Sequence, residues 1–186
     1  FIGMNITSGA DGIYVDMTRY ERECCESWGV TASLDTPGDV NLFTDDADSE
    51  LLDAVKSKTY HTGAAKLLFL AKRARPDILT ATSVCCSKVT KPTQQDWKRL
   101  ERVFRYLLGT AGLGLRFKRK MELLIKCFGD ASFASRVLDA RSRSGVICQV
   151  CDGVVATKSS WQTLTTLCTP EAELVTMCEA VVIALG

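Results

Sequence analysis

One histidine, His61, serves the whole 186-residue chain. It stands far from the cysteines in sequence, so a catalytic Cys–His pair finds no support. Cys148 and Cys151 make the one C-x-x-C, and neither a second C-x-x-C nor a nearby histidine completes a four-ligand zinc site. Three residues apart on a strand, these two thiols also point to opposite faces, and they read as packing residues. No Gly-rich phosphate loop of either standard spacing is present. No apolar run reaches 18 residues, which leaves nothing to span a membrane. The chain carries no internal repeat and no low-complexity segment. Its net charge is only +1, so the total offers no argument for a nucleic-acid partner. Nine cysteines occur without a signal peptide or a regular framework; the odd count argues for reduced thiols in an intracellular compartment. The chain opens without an initiator Met and stops in what looks like an unfinished helix at Gly186, so it reads as a fragment.

What is present is globular composition, 46% hydrophobic and 24% charged, at a length that can bury a core as one domain or two small ones. Charge is unevenly distributed. Residues 35 to 53 hold Asp35, Asp39, Asp45, Asp46, Asp48, Glu50 and Asp53 and no Lys or Arg. Residues 98 to 120 hold Lys98, Arg99, Arg102, Arg105, Arg116, Lys118, Arg119 and Lys120 against Glu101, so a local basic surface is expected.

Alternating apolar runs from Phe1 to Ile6 and Ile13 to Met17 flank Asp11-Gly12 and predict a β-hairpin. Thr18 is placed as the cap of a helix over Arg19 to Trp28, with Glu21 completing a capping box and Gly29 ending it. The stretch from Leu34 to Asp48 has no period and reads as a loop. Residues 59 to 74 predict a helix stopped by Pro76, and Ile78 to Val89 another. The clearest helix starts at Pro92 and Thr93, with Asp96 three residues after the cap. Trp97, Leu100, Val103, Phe104, Leu107 and Leu108 form its apolar stripe, and Gly109 ends it. Strands follow: Leu123 to Asp130, then Gly145 to Cys151 and Val154 to Ser159 around Asp152-Gly153. A last helix opens at Thr169 and Pro170, with Leu174, Met177, Cys178, Val181, Val182 and Leu185 as its apolar stripe.

Asp130 ends an apolar strand and Glu173 lies in the first turns of the last helix. If they met over one face of a sheet, they could share divalent cations, since Mg²⁺ favours carboxylate oxygens and a substrate phosphate. The bland readings are a turn aspartate and a glutamate that favours the helix dipole. Helical phase does not choose between Glu171 and Glu173. Lys98, Arg99, Arg102 and Arg105 form either a solvated helix face or a phosphate-tracking one.

Several stretches, in order, resemble the reverse transcriptase and ribonuclease H region of copia-type LTR retrotransposon Pol polyproteins. Phe1-Ile2-Gly3-Met4-Asn5-Ile6 with Asp11-Gly12-Ile13 and Tyr20 looks like the end of the polymerase palm. Leu67-Leu68-Phe69-Leu70-Ala71 to Arg75-Pro76-Asp77-Ile78 is similar to the family's "LLYLA…RPDI" segment. Trp97-Lys98 and Arg102 to Thr110, then Gly112-Leu113-Gly114-Leu115, resemble its "W…RVLRYLKGT…LGL" block. Gly129 to Ala134, Arg141 to Gly145, Lys158-Ser159 with Gln162, and Glu171-Ala172-Glu173-Leu174 resemble the start of its ribonuclease H. The resemblance implies an α+β fold in three parts: 1–33 as the end of the palm, 34–117 as a linker and helical thumb, and 122–186 as the first half of a ribonuclease H-like mixed sheet with its first helix.

It also implies a parent that copies RNA into DNA and cleaves the RNA strand of the hybrid with two Mg²⁺ ions. Asp130 and Glu173 would then be two of four metal-ligating carboxylates, Glu173 being favoured over Glu171 by the Ala172-Glu173-Leu174 step. Lys98, Arg99, Arg102 and Arg105 would track the phosphates of an RNA–DNA hybrid or primer-template. Ser132 stands where the family often has a second aspartate. The Tyr-x-Asp-Asp polymerase motif and two further aspartates are not in the chain. The expectation is an inactive segment that works with the remainder of the Pol polyprotein, inside a cytoplasmic virus-like particle or the nucleus. The alternatives are a decayed element and a co-opted, non-catalytic nucleic-acid-binding module.

Overall fold

The computed structural model describes residues 2–44, 48–119, 124–135 and 139–185; the expectations that touch Phe1, Asp45, Asp46, Lys120, Glu122, Leu123 and Gly186 lie outside the described residues. The fold is α+β, and packing divides the chain into two units. One comprises Phe1–Asn5 and Asp16–Gly114, the other Ile6–Val15 and Leu115–Gly186.

The first unit is helical. Its best-specified element, α4 (Gln94–Gly109), begins where the local signals place it. Thr93 Oγ1 accepts from the Asp96 amide, and the Asp96 carboxylate accepts from the Thr93 amide at 2.9 Å. Leu100, Val103, Phe104 and Leu107 are fully buried, as the stripe predicts. Against them pack α1 (Thr18–Trp28), α2 (Ala54–Ala71) and α3 (Leu79–Ser87), the last entered through a 3₁₀ turn at Pro76–Ile78. Trp28 stacks on Trp97 and Phe104 with ring centroids 4.6 and 4.7 Å apart. Gly63 makes room for it, since a Cβ there would stand 2.6 Å from the Trp28 ring. Tyr60 is fully buried, and its hydroxyl donates to the Cys85 carbonyl at 2.8 Å.

Two local expectations need correction. Thr18 is the first helical residue of α1 rather than its cap. Asp16 Oδ1 instead accepts from both the amide and the hydroxyl of Thr18, at 2.9 and 2.6 Å. Glu21 forms no capping box because a stronger, charged partner, Arg75, reaches it from elsewhere in the unit. Helix α2 begins at Ala54 rather than residue 59, because Asp53 caps it through the Lys56 amide at 2.8 Å.

Among the described residues the second unit holds two three-stranded sheets. The hairpin β1 (Asn5–Gly9) and β2 (Gly12–Asp16) is joined by β3 (Leu115–Lys118), antiparallel to β2 with Gly12 opposite Lys118. Gly12 is required there, since its φ is +145° and a Cβ would sit 2.0 Å from the Phe117 carbonyl oxygen. The other sheet runs β4 (Ile125–Ser132), β5 (Arg143–Val150) and β6 (Gly153–Trp161), all antiparallel. Cys151 and Asp152, both at positive φ, form the β5–β6 turn, so it lies one residue before the expected Asp152-Gly153.

Helix α5 (Thr169–Leu185) lies across β4 and β5, and here the hydropathy reading is overturned. The stripe Leu174, Met177, Cys178, Val181, Val182 and Leu185 is exposed, Leu185 at 84%, while Ala172, Thr176 and Ala180 face the sheet. Side-chain size decides the docked face. At Gly129 of β4 a Cβ would already stand 3.2 Å from Thr176 Cγ2, so no bulky residue fits between helix and strand.

The expectation of uniformly reduced thiols is also corrected, because Cys127 and Cys148 form a disulfide. They lie directly opposite one another on β4 and β5, with Cα atoms 4.2 Å apart, a proximity that a separation of 21 residues conceals. Seven cysteines remain free. Burial pushes the Cys25 thiol up to about 11 and Cys85 up to about 12, and raises Cys24 as well. Iodoacetamide applied to the native protein near pH 8 should therefore modify the exposed Cys168 and Cys178 and spare Cys24, Cys25 and Cys85, as peptide mass analysis will show. Equal labelling of the buried thiols would contradict this packing.

Candidate functional site

The two carboxylates of interest come from adjacent elements of the second unit. Strand alternation fixes the side of β4 on which each residue lies. Cys127 packs in the small apolar cluster with Val146, Cys148, Ala180 and Ile183, and Gly129 meets Thr176, so both face α5. Asp130 therefore projects from the opposite face. Glu173, half-buried, sits one turn before Thr176 on the helix itself. The structure thus brings Asp130 and Glu173 onto neighbouring elements without placing them on one face. Strand β4 is an edge of its sheet among the described residues. Glu171 has a different task, accepting from the Leu167 amide at 2.6 Å ahead of α5. Among the described residues no group of three or more His, Cys, Asp or Glu could hold a metal ion.

Arg143, not singled out by sequence reasoning, shares the face of Asp130. It pairs across the strands with Ser132 and Trp161, and its guanidinium lies 4.9 Å from the Trp161 ring centroid. Its Nε donates to Ser159 Oγ at 3.1 Å, and burial lowers its pKa to about 10. On the other face a buried polar cluster fastens α5. Gln162 Nε2 donates to Ser144 Oγ, Thr176 Oγ1 and the Ala172 carbonyl at 3.1, 3.2 and 2.9 Å.

In the first unit the four basic candidates are drawn together on α4, but not as a free solvated face. Arg99 is buried. It pairs with Asp96 at 3.0 Å and donates to the carbonyls of Asn41 and Thr44. Arg102 donates to Thr36 Oγ1 at 2.8 Å, and Arg105 Nε donates to the Ala32 carbonyl at 3.0 Å. The segment from residue 32 to 44, read from sequence only as a loop, is thus a strap laid along the basic helix. Lys98 is exposed beside it.

A second cluster lies wholly inside this unit. Arg75 and Glu21 are each 1% exposed and pair at 3.1 Å. Arg75 also holds Asp77 at 2.8 Å and donates to the carbonyl and hydroxyl of Thr110. Glu21 Oε2 accepts from the Gly112 amide, and Tyr106 donates to Asp77. The residues come from α1, the 3₁₀ turn and the end of α4, so Arg75 and Asp77 serve as a structural tie between elements.

No family model matches the chain, and no solved structure matches it. Among curated proteins it is 30% identical over 126 residues to a secreted RxLR effector protein of Plasmopara viticola, covering 68% of this chain and 89% of that one. It is 27% identical over 147 residues to an uncharacterized mitochondrial protein of Arabidopsis thaliana, spanning 78% of this chain and 60% of that protein. It is 28% identical over 120 residues, 64% of this chain, to the retrovirus-related Pol polyprotein from transposon TNT 1-94 of Nicotiana tabacum. The chain is thus similar to parts of retrovirus-related Pol polyproteins from plant transposons. Its matched region spans 9% of that tobacco polyprotein. No helix among the described residues is long and apolar enough to cross a membrane.

Proposed function

We propose that this chain is a working segment of a Pol polyprotein that copies RNA into DNA and hydrolyses the RNA strand of the hybrid. In this reading the helical unit contacts the nucleic acid, and the sheet with α5 is the first half of the ribonuclease H. One observation carries it: three antiparallel strands followed by a helix laid across the first two. That is the arrangement the resemblance implies for the start of this nuclease. The described residues do not by themselves fit a two-ion site, because two carboxylates on opposite sides of a strand supply too few anionic oxygens for Mg²⁺. No catalytic step is derived through the ion. Further carboxylates from the parent would have to line the β4 edge, and the segment alone would be inactive.

The test is Mg²⁺-dependent cleavage of an RNA–DNA hybrid by the parent polyprotein. Asp130→Asn should lower the rate by more than the 10–100-fold typical of changes outside a metal's direct ligands. An unchanged rate would remove Asp130 from the site. A second reading, a non-catalytic nucleic-acid-binding module, is favoured by the 89% coverage of a relative not much longer than the matched region. It requires salt-sensitive hybrid binding by this chain that Asp130→Asn leaves intact.

A further inference from the structure

No strand pairs with the outer side of β4 among the described residues. What that side offers follows from its pairing with β5. Cys127 and Cys148 stand directly opposite one another with Cα atoms 4.2 Å apart, the spacing of a non-hydrogen-bonded antiparallel pair. Residues in such pairs turn their N–H and C=O away from the partner strand. Ile125, Cys127, Gly129 and Ala131 therefore present a row of backbone donors and acceptors to the free edge.

The residues between them make this edge complementary to itself. Lys126, Phe128 and Asp130 alternate on the face turned away from α5, and Phe128 is 57% exposed. A second β4 running antiparallel, with Phe128 opposite its own copy, sets Lys126 opposite Asp130 and Asp130 opposite Lys126. The same register sets Cys127 against Gly129 and Ile125 against Ala131, so the outward backbone groups meet as hydrogen-bonded pairs. The charged and aromatic residues then fall in the non-hydrogen-bonded pairs, where side chains stand closest. A slip by one residue mismatches the backbone groups, and a slip by two unpairs the charges.

Helix α5 supplies an independent contact at the same edge. It lies over β4 and β5, and Glu179 reaches Lys158 of β6 at 3.0 Å, which fixes the flank turned toward the interior of the sheet. At about 3.6 residues per turn, Met177 lies on the opposite flank, with Leu174 and Val181 a turn to either side of it. These three side chains, more than half-exposed, stand toward the β4 edge, and the helix carries no Lys or Arg. A two-fold axis through Phe128 covers both features together, because it brings α5 beside its own copy above one continuous sheet.

We propose that this chain forms an isologous dimer through β4 and α5, the partner being a second copy of itself. The inference does not rest on the nuclease reading, in which other residues of the parent take the same edge, and the two uses exclude one another.

Sedimentation of the full chain over a range of concentrations should show a monomer–dimer equilibrium. Lys126→Asp and Asp130→Lys each set like charges opposite one another at both symmetry-related pairs, and each should weaken the dimer by about tenfold or more. Lys126 also reaches Asp152 of its own chain at 3.3 Å, so the two variants are then mixed. Their heterodimer has opposite charges at both pairs and should regain the affinity of the unaltered chain, a rescue that misfolding cannot imitate. Met177→Glu, at an exposed position, should weaken the dimer and leave the stability of the monomer unchanged. Amide exchange should show protection that grows with concentration at Ile125, Cys127, Gly129 and Ala131. A chain that stays monomeric at every concentration overturns the proposal. So does a dimer whose mixed variants regain nothing or whose edge amides stay unprotected, since another surface must then hold it.

Discussion

Replacing Arg75 with methionine should destabilise the helical unit by about 3–5 kcal/mol, enough to abolish its cooperative unfolding under ordinary conditions. The pair it forms with Glu21 is fully inside the protein, at 3.1 Å, with neither side chain more than 1% exposed. Desolvation makes such a pair weak evidence for stability as it stands, yet removing one partner leaves the other charge buried and alone. Three further acceptors lose the donation of Arg75 at the same time, the carboxylate of Asp77 and the carbonyl and hydroxyl of Thr110. An exposed pair such as Arg19–Glu23 gives the contrast, since Arg19→Met should cost well under 1 kcal/mol.

The pH dependence of the Arg75→Met variant identifies the cause. Burial already raises the Glu21 pKa above its ordinary value, with Arg75 the main opposing influence. Without Arg75 the shift grows. A carboxyl whose folded pKa lies above its unfolded value favours folding below the unfolded pKa, and that contribution is lost as pH rises through the folded one. The variant's urea midpoint should therefore fall as pH is raised from about 5 to about 8. Adding Glu21→Leu should remove that slope and recover part of the lost stability, because an apolar pair can replace a buried ionic one. A flat pH profile in Arg75→Met would mean that Glu21 is solvated once its partner is gone.

Neither this tie nor the strap is legible along the chain, for a common reason. Residues 21, 75, 77, 110 and 112 have no period or spacing that links them, and their meeting is set by how three elements converge. The strap's acceptors are largely backbone carbonyls, which every residue carries. By contrast α4 is legible because cap, stripe and stop are all local, and so is the β1–β2 hairpin, although it starts at Asn5 rather than at the first apolar residue. Asp130 and Glu173 are only weak candidates from the pattern along the chain, and the choice of Glu173 over Glu171 rests on the resemblance alone. Alternation then decides which side Asp130 takes, but only once it is known that Cys127 and Gly129 face α5. Helix α5 fails for a different reason. Hydropathy assumes that the greasiest face is the docked one, whereas close approach to Gly129 selects the small residues Ala172, Thr176 and Ala180.

That inversion makes Gln162→Ala the most damaging single change expected in the second unit, at about 2–4 kcal/mol. Among the described residues its fully buried apolar cluster consists of Val146, Cys148 and Ala180, with three partly buried neighbours. Docking of α5 relies on Gln162, Ser144 and Thr176, each no more than 1% exposed, and on the Lys158–Glu179 pair at 3.0 Å. Truncating Gln162 empties the space under the helix and removes one donor each from Ser144, Thr176 and the Ala172 carbonyl. Leu174→Ala and Met177→Ala remove larger apolar groups but from exposed positions, so each should change stability by no more than about 0.5 kcal/mol. Hydrogen exchange of the β4–β6 and α5 amides measures this unit separately from the helical one. Protection should drop sharply in Gln162→Ala and hold in the other two. If Leu174→Ala or Met177→Ala proved as damaging as Gln162→Ala, α5 would have to be docked through its aliphatic stripe. Asp130 and Glu173 would then stand in a different relation to the edge of β4.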